Sequence, residues 1–140
     1  MRVDQAARPL PRITAENRPY WEAARNGELK LQRCVECGKF RYPIAPVCPF
    51  CLCEHGRWTK VSGRGTLSTW MIFYKVFFPA FADRIPYNVA MIELEEGPRL
   101  TTNVLECRNE DLYLGMPVEV CFERVNDEIT LPQFRPVKKQ

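Results

Sequence analysis

The chain has 140 residues, 46% of them hydrophobic, seven cysteines and a net charge of +3, which suits one domain or a small module joined to a slightly larger one. No apolar run reaches the roughly 18 residues of a membrane span, and the opening MRVDQAARPLPR lacks the apolar centre of a secretory leader. These features argue against a membrane protein and a secreted disulfide scaffold, so a cytoplasmic setting with free, metal-binding cysteines is expected.

Charge is unevenly placed. Residues 1–60 hold 11 basic and 6 acidic side chains, a balance of +5, and residues 61–140 hold 9 and 11, a balance of −2. A basic front and a mildly acidic back fit two modules.

Residues 1–16 contain Arg and Pro without a clear period and read as an extended arm, or as a loose terminus. Asn17 is placed to cap a short helix, with Pro19 in its first turn and Gly27 as its stop. The helix carries Tyr20, Trp21, Ala23 and Ala24; its two aromatics either pack on the chain's own core or meet a partner. Residues 28–33 alternate apolar and polar and predict a strand leading into Cys34.

CVECGKFRYPIAPVCPFC then holds two Cys-x2-Cys knuckles separated by ten residues. Two residues between paired cysteines let both sulfurs of a tight turn reach one metal, and zinc favours four such ligands in a tetrahedron. Cys34, Cys37, Cys48 and Cys51 are therefore the expected metal ligands, for zinc or for iron in a rubredoxin-like site. Gly38 relieves crowding where the first turn reverses, and Pro49 stiffens the second. Four thiolates leave no open position for water or substrate, so the metal is expected to be structural. Cys53 and His55 lie just beyond and are weaker candidates. Cys107 and Cys121 sit in strand-like stretches and are expected to be buried.

The Gly-rich step SGRG (62–65) marks a boundary. It divides the chain into an arm (1–16), a helix and ribbon (17–62) and a β module (63–140). Strands are predicted over 66–76, 87–94, 99–105, 118–124 and 129–134, with turns at 95–98 and at Asn126-Asp127. Residues 111–116 predict a helical turn ending at Gly115. Val118, Val120 and Phe122 share one strand face. Five short strands make a small barrel or sandwich.

No nucleophile elbow, phosphate loop or dinucleotide fingerprint is present, and the single His55 has no partner suited to a Cys–His pair. Glu93, Glu95 and Glu96 cluster around a turn, as a solvated face does. The most unusual stretch is Phe77-Phe78-Pro79-Ala80-Phe81, whose three rings in a loop are costly to leave in water. Such a patch marks a binding surface, or a loop folded over an open barrel end.

In order along the chain stand an aromatic helix, the ribbon Cys34-x2-Cys37-Gly38…Tyr42-Pro43…Cys48-Pro49-x-Cys51 and Gly63-x-Gly65-Thr66-Leu67. Pro86-Tyr87-Asn88-Val89-Ala90, Glu96-Gly97-x-Arg99-Leu100, Leu114-Gly115-Met116-x-Val118 and Phe134-x-Pro136 follow. This order, covering about residues 18–136, resembles the DUF35 family, the acyl-CoA-associated zinc-ribbon/OB-fold proteins. The resemblance implies a mainly β fold: an N-terminal helix and rubredoxin-like zinc ribbon followed by a small OB-fold barrel. It further implies a non-catalytic accessory subunit in a hetero-oligomer with a thiolase-like partner, a thiolase or aldolase acting on acyl-CoA, whose catalytic residues lie in that partner. On that reading Arg33, Lys39 and Arg41 flank the first knuckle as candidates for coenzyme A phosphates, or as ordinary solvated charge. Tyr20, Trp21, Phe77, Phe78 and Phe81 are candidates for the partner interface or an acyl channel. The extra thiol Cys53 and the long aromatic loop depart from the family pattern.

Ribbons and OB barrels also bind single-stranded nucleic acid, through a basic groove with stacking aromatics. Trp70, Phe73 and Tyr74 are candidates for stacking, but the acidic balance of the β half opposes that reading.

Overall fold

The computed structural model describes residues 8–138. Helix α1 (Arg18–Arg25) begins as predicted, with proline in its first turn. The Asn17 side chain does not cap it. Its amide accepts from Thr14 N–H and donates to Arg12 C=O, so it secures the arm instead, while the Asn17 carbonyl accepts from Tyr20 and Trp21. Gly27 stops the helix in the left-handed region at φ +75°, where a side chain is strained. Arg8 ties the arm to Glu123 at 2.9 Å; residues 1–7 of the expected arm lie outside the described residues.

A three-stranded antiparallel sheet has the order β2-β1-β3, from β1 (Lys30–Cys34), β2 (Phe40–Arg41) and β3 (Gly56–Lys60). The short β2 and the whole of β3 were not foreseen. Gly56, Arg57 and Lys60 interrupt any apolar alternation, and β3 exists because all five of its residues pair with β1.

The second sheet has the order β6-β5-β4-β7-β8, from β4 (Arg64–Phe73), β5 (Tyr87–Leu94), β6 (Arg99–Thr102), β7 (Pro117–Arg124) and β8 (Thr130–Pro136). The strand β4 pairs with β5 along its length but with β7 only at Arg64–Thr66, and a bulge falls between Leu67 and Thr69. Bulges bend and twist a strand, so the sheet curls into a half-barrel of the OB type. Gly65 permits the tight β4–β5 approach: a Cβ there would collide with the Glu93 carbonyl and Ile92.

Three further expectations need correction. The strand predicted over 66–76 ends at Phe73, and residues 74–76 belong to the loop that follows. The strand predicted over 99–105 ends at Thr102, because the chain leaves β5 and crosses to β8. There Leu105 N–H donates to Phe134 C=O at 2.7 Å and Phe134 N–H to Asn103 C=O at 3.1 Å, around a parallel Val104–Phe134 bridge. The helical turn predicted over 111–116 instead lies at Asn109–Asp111, held by an Arg108–Asp111 ion pair. Residues 112–116 run on as a turn that buries Leu112 and Met116.

Asn88 latches the barrel closure. Its side-chain amide donates to Val104 C=O (2.9 Å) and Asn109 Oδ1 (3.1 Å), and its oxygen accepts from Val104 N–H (2.7 Å). One continuous core runs through both sheets, from Tyr20, Leu29, Leu31 and Val61 to Leu67, Ile92, Val104, Val118 and Phe134. Among the described residues no helix is long and apolar enough to cross a membrane.

Candidate metal centre

The strand β1 ends on Cys34, and the two knuckles that follow repeat one hydrogen-bond pattern. In the first, Gly38 N–H donates to Cys34 C=O and Cys34 N–H to Lys39 C=O; in the second, Leu52 N–H donates to Cys48 C=O and Cys48 N–H to Cys53 C=O. Cys53 thus occupies the place of Lys39, and Leu52 that of Gly38. Leu52 adopts φ +66° like Gly38 at +77°, although a left-handed leucine costs roughly 1–2 kcal/mol.

The pseudo-twofold repeat turns the four sulfurs inward. Cys34 Sγ lies 3.5 Å from Cys51 Sγ, and Cys37 Sγ lies 3.7 Å from Cys48 Sγ. All four lie within 4.8 Å of one another. A tetrahedral ion bonded to thiolates at about 2.3 Å places its sulfurs about 3.8 Å apart, so the residues present fit a metal. Cys53 and His55 do not join the sulfur group. The Cys53 thiol contacts the His55 carbonyl instead.

Backbone donors favour thiolates here. The Cys37 N–H, 3.5 Å from Cys34 Sγ, is the leading influence that pulls the Cys34 thiol down to about 6. Burial pushes Cys48 upward, but the N–H groups of Phe50 and Cys51 outweigh it and its value falls. Cys51 goes the other way, up to about 12. The Cys53 N–H works to lower it, yet the Cys34 sulfur, burial, and the Cys37 and Cys48 sulfurs together prevail. Four adjacent negative charges repel one another; a divalent ion removes that obstacle and displaces the remaining protons.

The three cations named from the sequence line one cleft of about 510 Å³ with Phe40, Tyr42, Phe50 and Pro98. Their side chains differ in availability. The Arg33 guanidinium donates to Gly38 C=O and lies 5.2 Å from the Phe40 ring, and Lys39 Nζ stands 4.5 Å above Phe50. Arg41 is only 2% exposed.

The aromatic candidates also separate. Tyr20 is buried in the core against Trp21, edge to face at 4.9 Å, which makes it a packing residue. Its phenol is pushed well above the ordinary range by burial and by Tyr42. Trp21 is half-buried against the same core. The β4–β5 loop instead builds a ladder of rings, Phe77–Phe73–Tyr87–Phe81–Phe78, with centroids 5.2–6.0 Å apart. Its outer rings Phe77 and Phe78 are exposed, as are Met71, Tyr74 and Val76 nearby. Phe81 and Tyr87 line a second cleft of about 680 Å³, with the amide-bearing Asn88, Asn103 and Gln133 and with Arg8 of the arm. Sequence reasoning missed this cleft, since its walls come from the arm, the loop, β5 and β8. Trp70 packs on the core and Phe73 stacks on Tyr87, so of the three rings considered for base stacking only Tyr74 stands free. Cys107 and Cys121 are partly exposed rather than buried.

Comparison with known proteins follows the two modules. Residues 21–52 match the ChsH2 rubredoxin-like zinc ribbon domain, and residues 58–123 the ChsH2 C-terminal OB-fold domain. The chain is 37% identical over 97 residues to a DUF35 domain-containing scaffold protein of Methanocaldococcus jannaschii, covering 69% of this chain and 68% of that one. It is 36% identical over 136 residues to a probable enoyl-CoA hydratase alpha subunit of Thermomonospora curvata; that covers 97% of this chain but spans only 42% of the relative's length. Among solved structures it resembles a chain of the Ltp2-ChsH2(DUF35) aldolase, with a TM-score of 0.81, 35% identity, and coverage of 91% of this chain and 98% of that chain. A DUF35-family protein from Sulfolobus solfataricus shares the fold at a TM-score of 0.61 and 11% identity. With a four-sulfur ribbon, a half-barrel closed onto β8 and these relatives, the chain belongs to the DUF35 family.

Proposed function

We propose that this chain is a non-catalytic accessory subunit of a thiolase-superfamily enzyme, a thiolase or aldolase acting on acyl-CoA. The observation that carries the reading is its likeness to a chain of the Ltp2-ChsH2(DUF35) aldolase across 98% of that chain. The sulfur group supports a scaffold role, because four thiolates saturate a tetrahedral ion and leave nothing open for a substrate.

Cys34, Cys37, Cys48 and Cys51 hold zinc in this proposal, with iron as a substitute after overexpression. The ion staples a ribbon whose buried core is too small to stand alone. A reducing cytoplasm suits the seven free cysteines. Phe77 and Phe78 form the partner contact, since exposed clustered rings favour burial. Phe81 leads from that contact into the 680 Å³ cleft, a volume within the usual 300–1,000 Å³ of small-molecule sites, and forms one wall of an acyl channel. Arg33 and Lys39 are the side chains placed to meet coenzyme A phosphates. Arg41 lines the same cleft but is buried, and Trp21 is a weaker partner contact.

The test is co-expression with the thiolase-superfamily protein of the same cell, followed by size exclusion. A stoichiometric complex is expected, weakened at least tenfold by Phe77→Ser with Phe78→Ser while the free subunit's melting temperature stays within about 2 °C. A chain that remains alone with every such partner would sink the proposal.

A further inference from the structure

Building on the metal reading above, we propose that Arg41 is the built-in counter-charge and clamp of the four-cysteine centre. Its guanidinium is buried, yet no carboxylate lies within ion-pair distance of it among the described residues. Nη1 donates to Ala45 C=O at 3.0 Å and Nη2 to His55 C=O at 3.4 Å, while Nε has no partner among the described residues. Carbonyl dipoles solvate a buried cation only in part, and an uncompensated buried charge is strongly disfavoured. A divalent metal with four thiolates carries a net charge of −2. That centre is the counter-anion in this proposal; Glu96 lines the same cleft as Arg41 but forms no ion pair with it.

The placement is specific. In the β1–β3 ladder, Cys34 stands opposite Gly56, and a Cβ on Gly56 would lie 2.7 Å from Arg41 Nη2. The guanidinium therefore covers the strand pair that ends on the first ligand, in a space that Gly56 leaves open. Its two carbonyl partners bracket the second knuckle: Ala45 precedes Cys48 and His55 follows Cys51. The His55 carbonyl also accepts from Val35 N–H of the first knuckle at 3.2 Å. On the neighbouring strand, Gln32, which pairs with Arg41, accepts from Ala45 N–H at 3.0 Å. One forked cation thus ties both ends of the second knuckle to the hairpin that carries Cys34 and Cys37. An ammonium lacks the fork needed for two divergent carbonyls.

The experiment uses the full chain as wild type, Arg41→Met, Arg41→Lys and Gly56→Ala. Co(II) affinity is measured by competition with Zn(II). The reduction potential is measured on the iron-substituted chain, where one electron from the electrode converts the −1 Fe(III) centre to the −2 Fe(II) centre. Arg41→Met is expected to weaken Co(II) binding 10–100-fold, the usual effect of losing an outer-shell partner. It also shifts the iron potential to more negative values, because a nearby cation favours the −2 state. Arg41→Lys keeps the potential near wild type while losing affinity, a split that a purely structural role does not produce. Wild-type Co(II) affinity in Arg41→Met, or an unchanged potential, overturns the proposal. Should Arg41→Met fail to fold, Gly56→Ala carries the test: it displaces the guanidinium without removing its charge and is expected to weaken Co(II) several-fold, and unchanged affinity overturns the clamp. If the wild-type chain takes up no Co(II), the metal reading itself falls; if it does and the variants match it, only the role of Arg41 falls.

Discussion

Replacing Asn88 by alanine tests how the barrel is closed. Val104 is 1% exposed, and its N–H and C=O both bond to the Asn88 side chain, at 2.7 and 2.9 Å. The flanking bridge to β8 uses Asn103 and Leu105, not Val104 itself. Asn88→Ala therefore strands two buried backbone groups, each costing about 1–3 kcal/mol when left unpaired. A loss of about 4 kcal/mol follows, or a fall in Tm of roughly 10 °C or more for a chain of this size. Urea unfolding in metal-replete buffer measures it as a lower midpoint at constant m-value. Asn88→Asp adds a sign test. The new carboxyl is buried facing Val104 C=O and Asn109 Oδ1, so its pKa in the folded chain is raised above the roughly 3.9 of an unfolded Asp. Its best stability lies below that value and is lost as pH rises toward the folded-state value, whereas Asn88→Ala shows no such added slope. An Asn88→Ala chain within about 1 kcal/mol of wild type would refute the latch.

Three further outcomes follow from the structure. Gly65→Ala drives a Cβ into the β5 backbone at Glu93, and because backbone does not yield as a side-chain tip does, a loss of about 3 kcal/mol is expected; a chemical-denaturation midpoint like wild type's contradicts that fit. Metal retention should fall as pH drops, since protons compete for the thiolates. A metal-release titration with a chromogenic chelator that runs flat from pH 7 to 4 argues against thiolate ligation, and Cys48→Ser should release the ion at higher pH than wild type. Leu52→Gly relieves a left-handed leucine that is 75% exposed, with an expected gain of about 0.5–1 kcal/mol in the metal-loaded chain; destabilisation in a thermal scan shows that the Leu52 side chain packs on something that offsets its backbone strain.

Local chemistry made much of this protein legible without coordinates. Two matched Cys-x2-Cys spacings specify sulfurs that meet, because a tight turn and a tetrahedral ion leave little freedom between them. The strand at Tyr87–Leu94 is legible to the residue, since a short apolar run bounded by Pro86 and the turn at Gly97 depends only on neighbours in sequence. Tertiary structure decided what depends on distant partners. The strand β3 has no alternation of its own and forms only against β1. The strand β6 stops short because Asn103 and Val104 bond across the barrel to β8 and Asn88. Arg33, Lys39 and Arg41 look alike as charges in sequence, yet Gly56 opens a buried seat for Arg41 alone. Tyr20 and Phe77 look alike as aromatics, yet one fills the core and the other faces solvent. Spacing along the chain sets what one turn can do; burial and charge compensation arise only when segments far apart are packed together.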